Sequence, residues 1–113
     1  MEQPEFEKSK AFNVAAVLEY IPHAVVIKTI IRKMTGMVSA VSFDSGESLP
    51  GRVSPFDTFI QIIDGKAEII IGDRSHLLET GQSIIIPAHN SSTIKANTRF
   101  KMISTTIKSG YEE

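Results

Sequence analysis

The chain is poor in groups that do chemistry, and its most conspicuous candidate is an arginine. Arg52 lies between Pro50 and Pro55 in the segment GESLPGRVSPFDTFIQIIDG, which runs from Gly46 to Gly65. A guanidinium can take a carboxylate or phosphate in a two-pronged, charge-assisted grip. It can equally lie along the surface on its methylene stem and pair with a nearby acid such as Asp57. Three histidines, His23, His76 and His89, are the side chains whose ordinary pKa lies near neutrality. His23 follows Pro22 and His76 lies in a polar stretch, so both read as surface residues. His89 follows Pro87, where it is either a loop residue bonded to water or a base or ligand anchor at the mouth of a pocket. There is no cysteine, hence no thiolate nucleophile, thiolate metal site or disulfide framework. The chain also lacks a glycine-rich phosphate loop, a nucleophile elbow and a His-x-x-x-His helix, so no catalytic residue is assigned.

Composition narrows the function classes further. With 113 residues the chain makes one domain, able to remove roughly two-thirds of its unfolded surface from water. A hydrophobic share of 42% with 22% charged residues is that of an ordinary globular protein. The formal net charge of −1 comes from lysines and arginines scattered among acids, not gathered on one face as in nucleic-acid binders, so no nucleic-acid partner is expected. No apolar run approaches the length of a membrane span, and the N-terminus MEQPEFEKSK is acidic where a signal peptide is basic and then apolar. The expected location is the cytoplasm, with no membrane partner.

The elements that must position Arg52 are almost all strands. Residues 1–12 are polar and read as an arm that is mobile unless a partner orders it. Asn13 stands in N-cap position before VAAVLEYI, a short amphipathic helix over 14–21 that Pro22 stops. Strand patterns follow at 25–32, 37–43, 56–64, 66–72, 75–79, 82–88, 92–96 and 99–108. Asp64-Gly65 suits a tight hairpin turn. Pro50 and Pro55 remove backbone donors and should interrupt pairing on either side of Arg52 to Ser54. Short strands at this spacing indicate a closed barrel or a two-sheet jelly roll.

Two stretches carry a family resemblance: SPFDTFIQIIDGKAEIIIG and LLETGQSIIIPA. In glycines, prolines and apolar rhythm the region from about 25 to 108 resembles the small single-domain bacterial cupins of the conserved-barrel type. The resemblance implies a double-stranded β-helix in which three histidines and a glutamate hold a metal at the barrel interior. Laid on this chain, the first family motif runs from Gly46 to Gly65 and puts Arg52, Ser54 and Thr58 at ligand positions. The second runs from Gly81 to Ala96 and puts Ser92 at the remaining one, with His89 where the family has a glycine. Guanidinium has no lone pair to donate, and lone hydroxyls are weak ligands, so no metal and no cofactor is expected. The resemblance also implies that the Arg52 position faces the cavity, and that the protein is a homodimer. Apolar residues on both faces of 25–32 agree with the latter.

Period-two alternation sketches the wall. With Thr58 inward, Ile60 and Ile62 point the same way, while Phe59, Gln61 and Ile63 face out. Phe100, Met102, Ser104 and Thr106 share a face of the last strand. The expected interior is small, apolar and fringed with hydroxyls from Ser54, Thr58, Ser92 and Ser42, which suits a small neutral or singly charged organic ligand. The reading is therefore an all-β, cupin-type jelly-roll barrel over 25–108, with an N-terminal arm and short helix over 1–24 and a tail over 109–113. Its candidate pocket residues are Arg52, Ser54, Thr58, Ser92, His89, Ile60 and Met102. The expected function is metal-free binding of a small organic ligand, such as a carboxylate or phosphate, or a structural role. The alternatives are an isomerase or dioxygenase-like cupin using non-standard residues, and a sensory or regulatory cupin.

Overall fold

A computed structural model describes residues 5–108; the tail assigned to 109–113 lies outside the described residues. The chain forms one short helix, α1 (Val14–Val17), and eight strands: β1 (Val25–Lys33), β2 (Gly36–Phe43), β3 (Ser48–Val53), β4 (Thr58–Ile71), β5 (Arg74–Glu79), β6 (Ser83–Ile86), β7 (Ser91–Lys95) and β8 (Phe100–Ile107). All pairings are antiparallel, in the order β1-β2-β8-β4-β7-β3, with β5 and β6 also paired to β4. No helix among the described residues is long and apolar enough to cross a membrane.

β4 organises the barrel. Its first half pairs with β8 and β6, and its second half pairs with β7 and β5. The two halves therefore belong to opposite walls, and the sheet curls where the strand passes from one to the other. That passage occurs at Asp64-Gly65, where the register against β8 shifts between Ile62 and Asp64. The hairpin expected there is absent: Gly65 does take a positive φ of 86°, but it serves a bend within one continuous strand. A shift of this kind sharpens the local twist and bends the strand.

The N-terminal segment also differs from expectation. Asn13 caps α1 through its side chain, which accepts from the backbone N–H groups of Ala15 (3.1 Å) and Ala16 (3.3 Å). The helix ends after one turn, because Leu18 turns extended (φ −103°, ψ 113°) and is completely buried. Burying one leucine outweighs another turn of helix that is too short to be stable by itself. The segment becomes a strap tied to the barrel. Lys28 Nζ donates to Val17 O (2.9 Å), Lys101 Nζ to Ala15 O (2.6 Å), Ser42 Oγ to Glu19 O (2.8 Å) and Tyr20 Oη to Asp64 (2.7 Å). The start of the arm, expected over residues 1–12, meets β1 at two points: Phe6 N–H donates to Ile30 O, and the Glu5 carboxylate accepts from Arg32 N–H.

The core fills the closed end of the barrel. Phe43 and Phe100 stack with centroids 4.5 Å apart and an interplanar angle of 13°, around which Val41, Ile60, Ile62, Ile69, Ile94 and Met102 pack. β2, β8 and β4 contribute this wall in cross-strand layers. With β8 in the middle, Phe43 lies opposite Phe100, while Met102 stands between Val41 and Ile62, Ser104 between Ser39 and Ile60, and Thr106 between Met37 and Thr58. The layers pass from aromatic, through aliphatic, to hydroxyl.

Candidate ligand pocket

The hydroxyl end of these layers opens into a cavity of about 200 Å³. On the β2-β8-β4 wall it is lined by Met37, Ser39, Val41, Met102, Ser104, Thr106, Thr58 and Ile60, with Ile27 of β1 beside them. The opposite wall comes from β3 and β7 with Leu49, Arg52, Val53, Ser92 and Ile94, completed by Ser54, Ile86 and Asn90. Six of the seven residues singled out in the sequence thus line one cavity: Arg52, Ser54, Thr58, Ser92, Ile60 and Met102. Ile60 and Met102 form the buried floor, and Ser92 is also buried. Arg52 is exposed, which places it at the mouth.

β3 is what sets Arg52 there. Pro50 and Gly51 cannot continue the ladder with β7, and the register shifts between Leu49 and Arg52, as the missing proline donor requires. Pairing resumes with Arg52 opposite Ser92, and Ser92 Oγ donates to the Arg52 carbonyl oxygen at 3.5 Å. Asp57 does not pair with the guanidinium. Its Oδ1 accepts from Ala88 N–H at 2.8 Å, which ties the β3–β4 loop to the β6–β7 loop. Among the described residues Arg52 has no carboxylate partner, and it is the only charged residue of the cavity wall.

His89 is the residue that the sequence reading misplaces. It sits in the β6–β7 turn with φ of 67°, is exposed, and is not part of the cavity wall. Its backbone N–H donates to Ser54 O at 2.7 Å, and its ring bonds no acid among the described residues. The next residue, Asn90, turns to the cavity in its place, with Nδ2 donating to Ala88 O. Ser42 is a second correction. It lies on the outer face of β2 beneath the strap, and Ser39 takes the interior position. The signal was present in the alternation of β2, since Val41 and Phe43 are core residues and Ser39 shares their parity.

The fold matches known structures over most of its length. A conserved protein of unknown function from Streptococcus pyogenes superposes with a TM-score of 0.88 at 23% identity, covering 94% of this chain and 93% of that one. A cupin superfamily protein from Desulfitobacterium hafniense DCB-2 gives 0.87 at 24% identity, covering 96% and 100%. The chain is a cupin-fold barrel. A cupin 2 conserved barrel domain protein from Leptotrichia buccalis gives 0.83 at 28% identity over 86% of this chain, which spans 47% of that protein. No protein-family profile matches the sequence, and no curated protein does.

The cupin resemblance implies a metal, and the side chains at the four corresponding positions do not fit one. Arg52 has no lone pair to give. Ser54 Oγ accepts from Phe56 N–H (3.1 Å), Thr58 Oγ1 shares a hydrogen bond with Thr106 Oγ1 (3.3 Å), and Ser92 Oγ is held by the β3 backbone. This donor set holds no imidazole and no carboxylate, the groups that bind divalent transition metals in oxygen–nitrogen sites. Among the described residues no group of three or more His, Cys, Asp or Glu side chains is arranged to hold a metal ion.

Proposed function

We propose that this barrel is a metal-free receptor for a small organic anion, held at the mouth by Arg52 with its body against the aliphatic floor. The observation that carries this reading is the single unpaired guanidinium on a wall otherwise made of hydroxyl, amide and aliphatic groups. Arg52 offers a carboxylate or phosphate a two-pronged, charge-assisted pair, weakened by the water around an exposed guanidinium, and the aliphatic floor adds the burial of the ligand's body. Among the described residues this wall carries no His, Asp, Glu, Lys or Tyr to move a proton. The role is therefore binding, with the ligand's presence as the output.

The test is thermal stabilisation in the presence of chelator, using a panel of short carboxylates and phosphate esters. A ligand that binds only the folded state raises the melting temperature with concentration. We expect stabilisation of the wild type by at least one class of anion and none of Arg52→Leu, whose side chain fits the same wall. Equal responses of the two proteins, or anion stabilisation that appears only when the chelator is left out, would overturn the proposal.

A further inference from the structure

The cavity contains a second polar feature that the fold leaves without a partner. Ser39 is 5% exposed, lies on the cavity wall, and its Oγ makes no hydrogen bond. Among the described residues it is the one buried side-chain polar atom in this condition. Of the other hydroxyls on this wall, Thr58 bonds Thr106 and Ser92 bonds the Arg52 carbonyl, while Ser104, opposite Ser39, is only half-buried. A buried hydroxyl without a partner is destabilising, and such groups in native proteins mark a bound water, an ion or a function.

We infer that the ligand is a short organic acid with two polar groups, its carboxylate at Arg52 and an uncharged hydroxyl or carbonyl oxygen at Ser39. The inference rests on the anion-receptor reading and narrows it. The volume favours a small occupant, since about 200 Å³ lies below the roughly 300–1,000 Å³ of pockets that take drug-sized ligands. The charge limits it too. Among the described residues Arg52 is the only cation on the wall, which balances one carboxylate and leaves a doubly charged phosphate half uncompensated. Ser39 stands one layer inward of Met37 and the Thr58–Thr106 pair, opposite Ser104 and in the same row as Ile60. A second oxygen on the ligand must therefore reach past the mouth. Met37 and Met102 flank Ser39 along and across the strands, and their flexible thioether chains can move aside to admit it.

The test compares butyrate with the hydroxybutyrates that carry the hydroxyl on the α, β or γ carbon, by calorimetry on wild type, Ser39→Ala and Arg52→Leu. One of the hydroxy acids is expected to bind the wild type about three- to tenfold more tightly than butyrate. That preference should vanish in Ser39→Ala while butyrate affinity stays, and all binding should be lost in Arg52→Leu. The ligand-free Ser39→Ala protein should melt no lower than wild type, because it loses an unsatisfied hydroxyl. Binding through Arg52 without a hydroxy-acid preference would overturn the two-point inference alone. A preference that survives Ser39→Ala, or a markedly lower melting temperature of that variant without ligand, would overturn it as well. No binding of any of the acids would overturn this inference, and would overturn the receptor reading beneath it as well if the phosphate esters of the panel also fail to stabilise the wild type.

Discussion

Gly65 and Arg99 approach so closely that a Cβ on the glycine would stand 2.5 Å from the arginine's carbonyl oxygen. The same atom would meet Phe100 Cα and Cβ at 3.0 Å each, so the neighbour that must give way is backbone at the start of β8. Gly65 also has φ of 86°, a left-handed conformation that side chains resist. Both constraints fall at the point where β4 passes from one wall to the other. Gly65→Ala should therefore destabilise the barrel by about 2 kcal/mol or more. Urea unfolding that shows a change below about 0.5 kcal/mol would mean that the bend is not pinned there.

The misreading of Asp64-Gly65 has a physical explanation. The dipeptide signals a positive φ, and the structure supplies it, but that conformation serves a bend within a strand as well as a hairpin. Only the contacts with Arg99 and Phe100, some thirty-five residues away in sequence, decide between them. The expected and observed strand numbers agree through two opposite differences, since 56–64 and 66–72 fuse into β4 while the segment around Pro50 pairs as β3. The floor was legible because Ile60, Ile62, Phe100 and Met102 follow strict alternation, and period two needs no tertiary information. Helix length was not legible, since Leu18 leaves the helix for a burial site built by distant strands. At the rim, Asn90 faces the cavity because the turn at His89 breaks the alternation.

Acid should weaken the protein through Asp44 and Glu68. Asp44 is held below the usual aspartate value, chiefly because its carboxylate accepts from the backbone N–H groups of His23 (2.7 Å) and Ser45. Glu68 is lowered first by the Ser75 hydroxyl (2.6 Å) and then by the Asn97 amide (3.0 Å). Since both carboxyls bind protons more weakly folded than unfolded, their contribution is present above the unfolded pKa and disappears as the pH falls through the folded one. The melting temperature should drop between about pH 5 and about pH 3, and less steeply in Asp44→Asn combined with Glu68→Gln. Identical pH profiles for the two proteins would remove these carboxylates from the account.

We propose a homodimer as the solution state. β1 is an edge strand of the sheet, and Ile27 (49% exposed) and Ile31 (44%) remain open on it, with Ile107 (62%) at the end of β8. Exposed apolar residues on an edge strand invite pairing with another copy. Light scattering should give twice the chain mass at micromolar concentration, and charged substitutions at Ile27 and Ile31 should halve it. A wild-type monomer would refute the dimer.

The most direct measurement of the central claim is methyl NMR during titration with a short carboxylate. Ile60, Ile86, Ile94 and Met102 lie on the cavity wall, whereas Leu77, Ile85 and Ile107 are exposed elsewhere. The account predicts that the first group shifts in the wild type with a saturable dependence on ligand, that the second stays still, and that Arg52→Leu shows no saturable shift in either group. Saturable shifts confined to Leu77, Ile85 or Ile107, or cavity shifts that persist unchanged in Arg52→Leu, would contradict it.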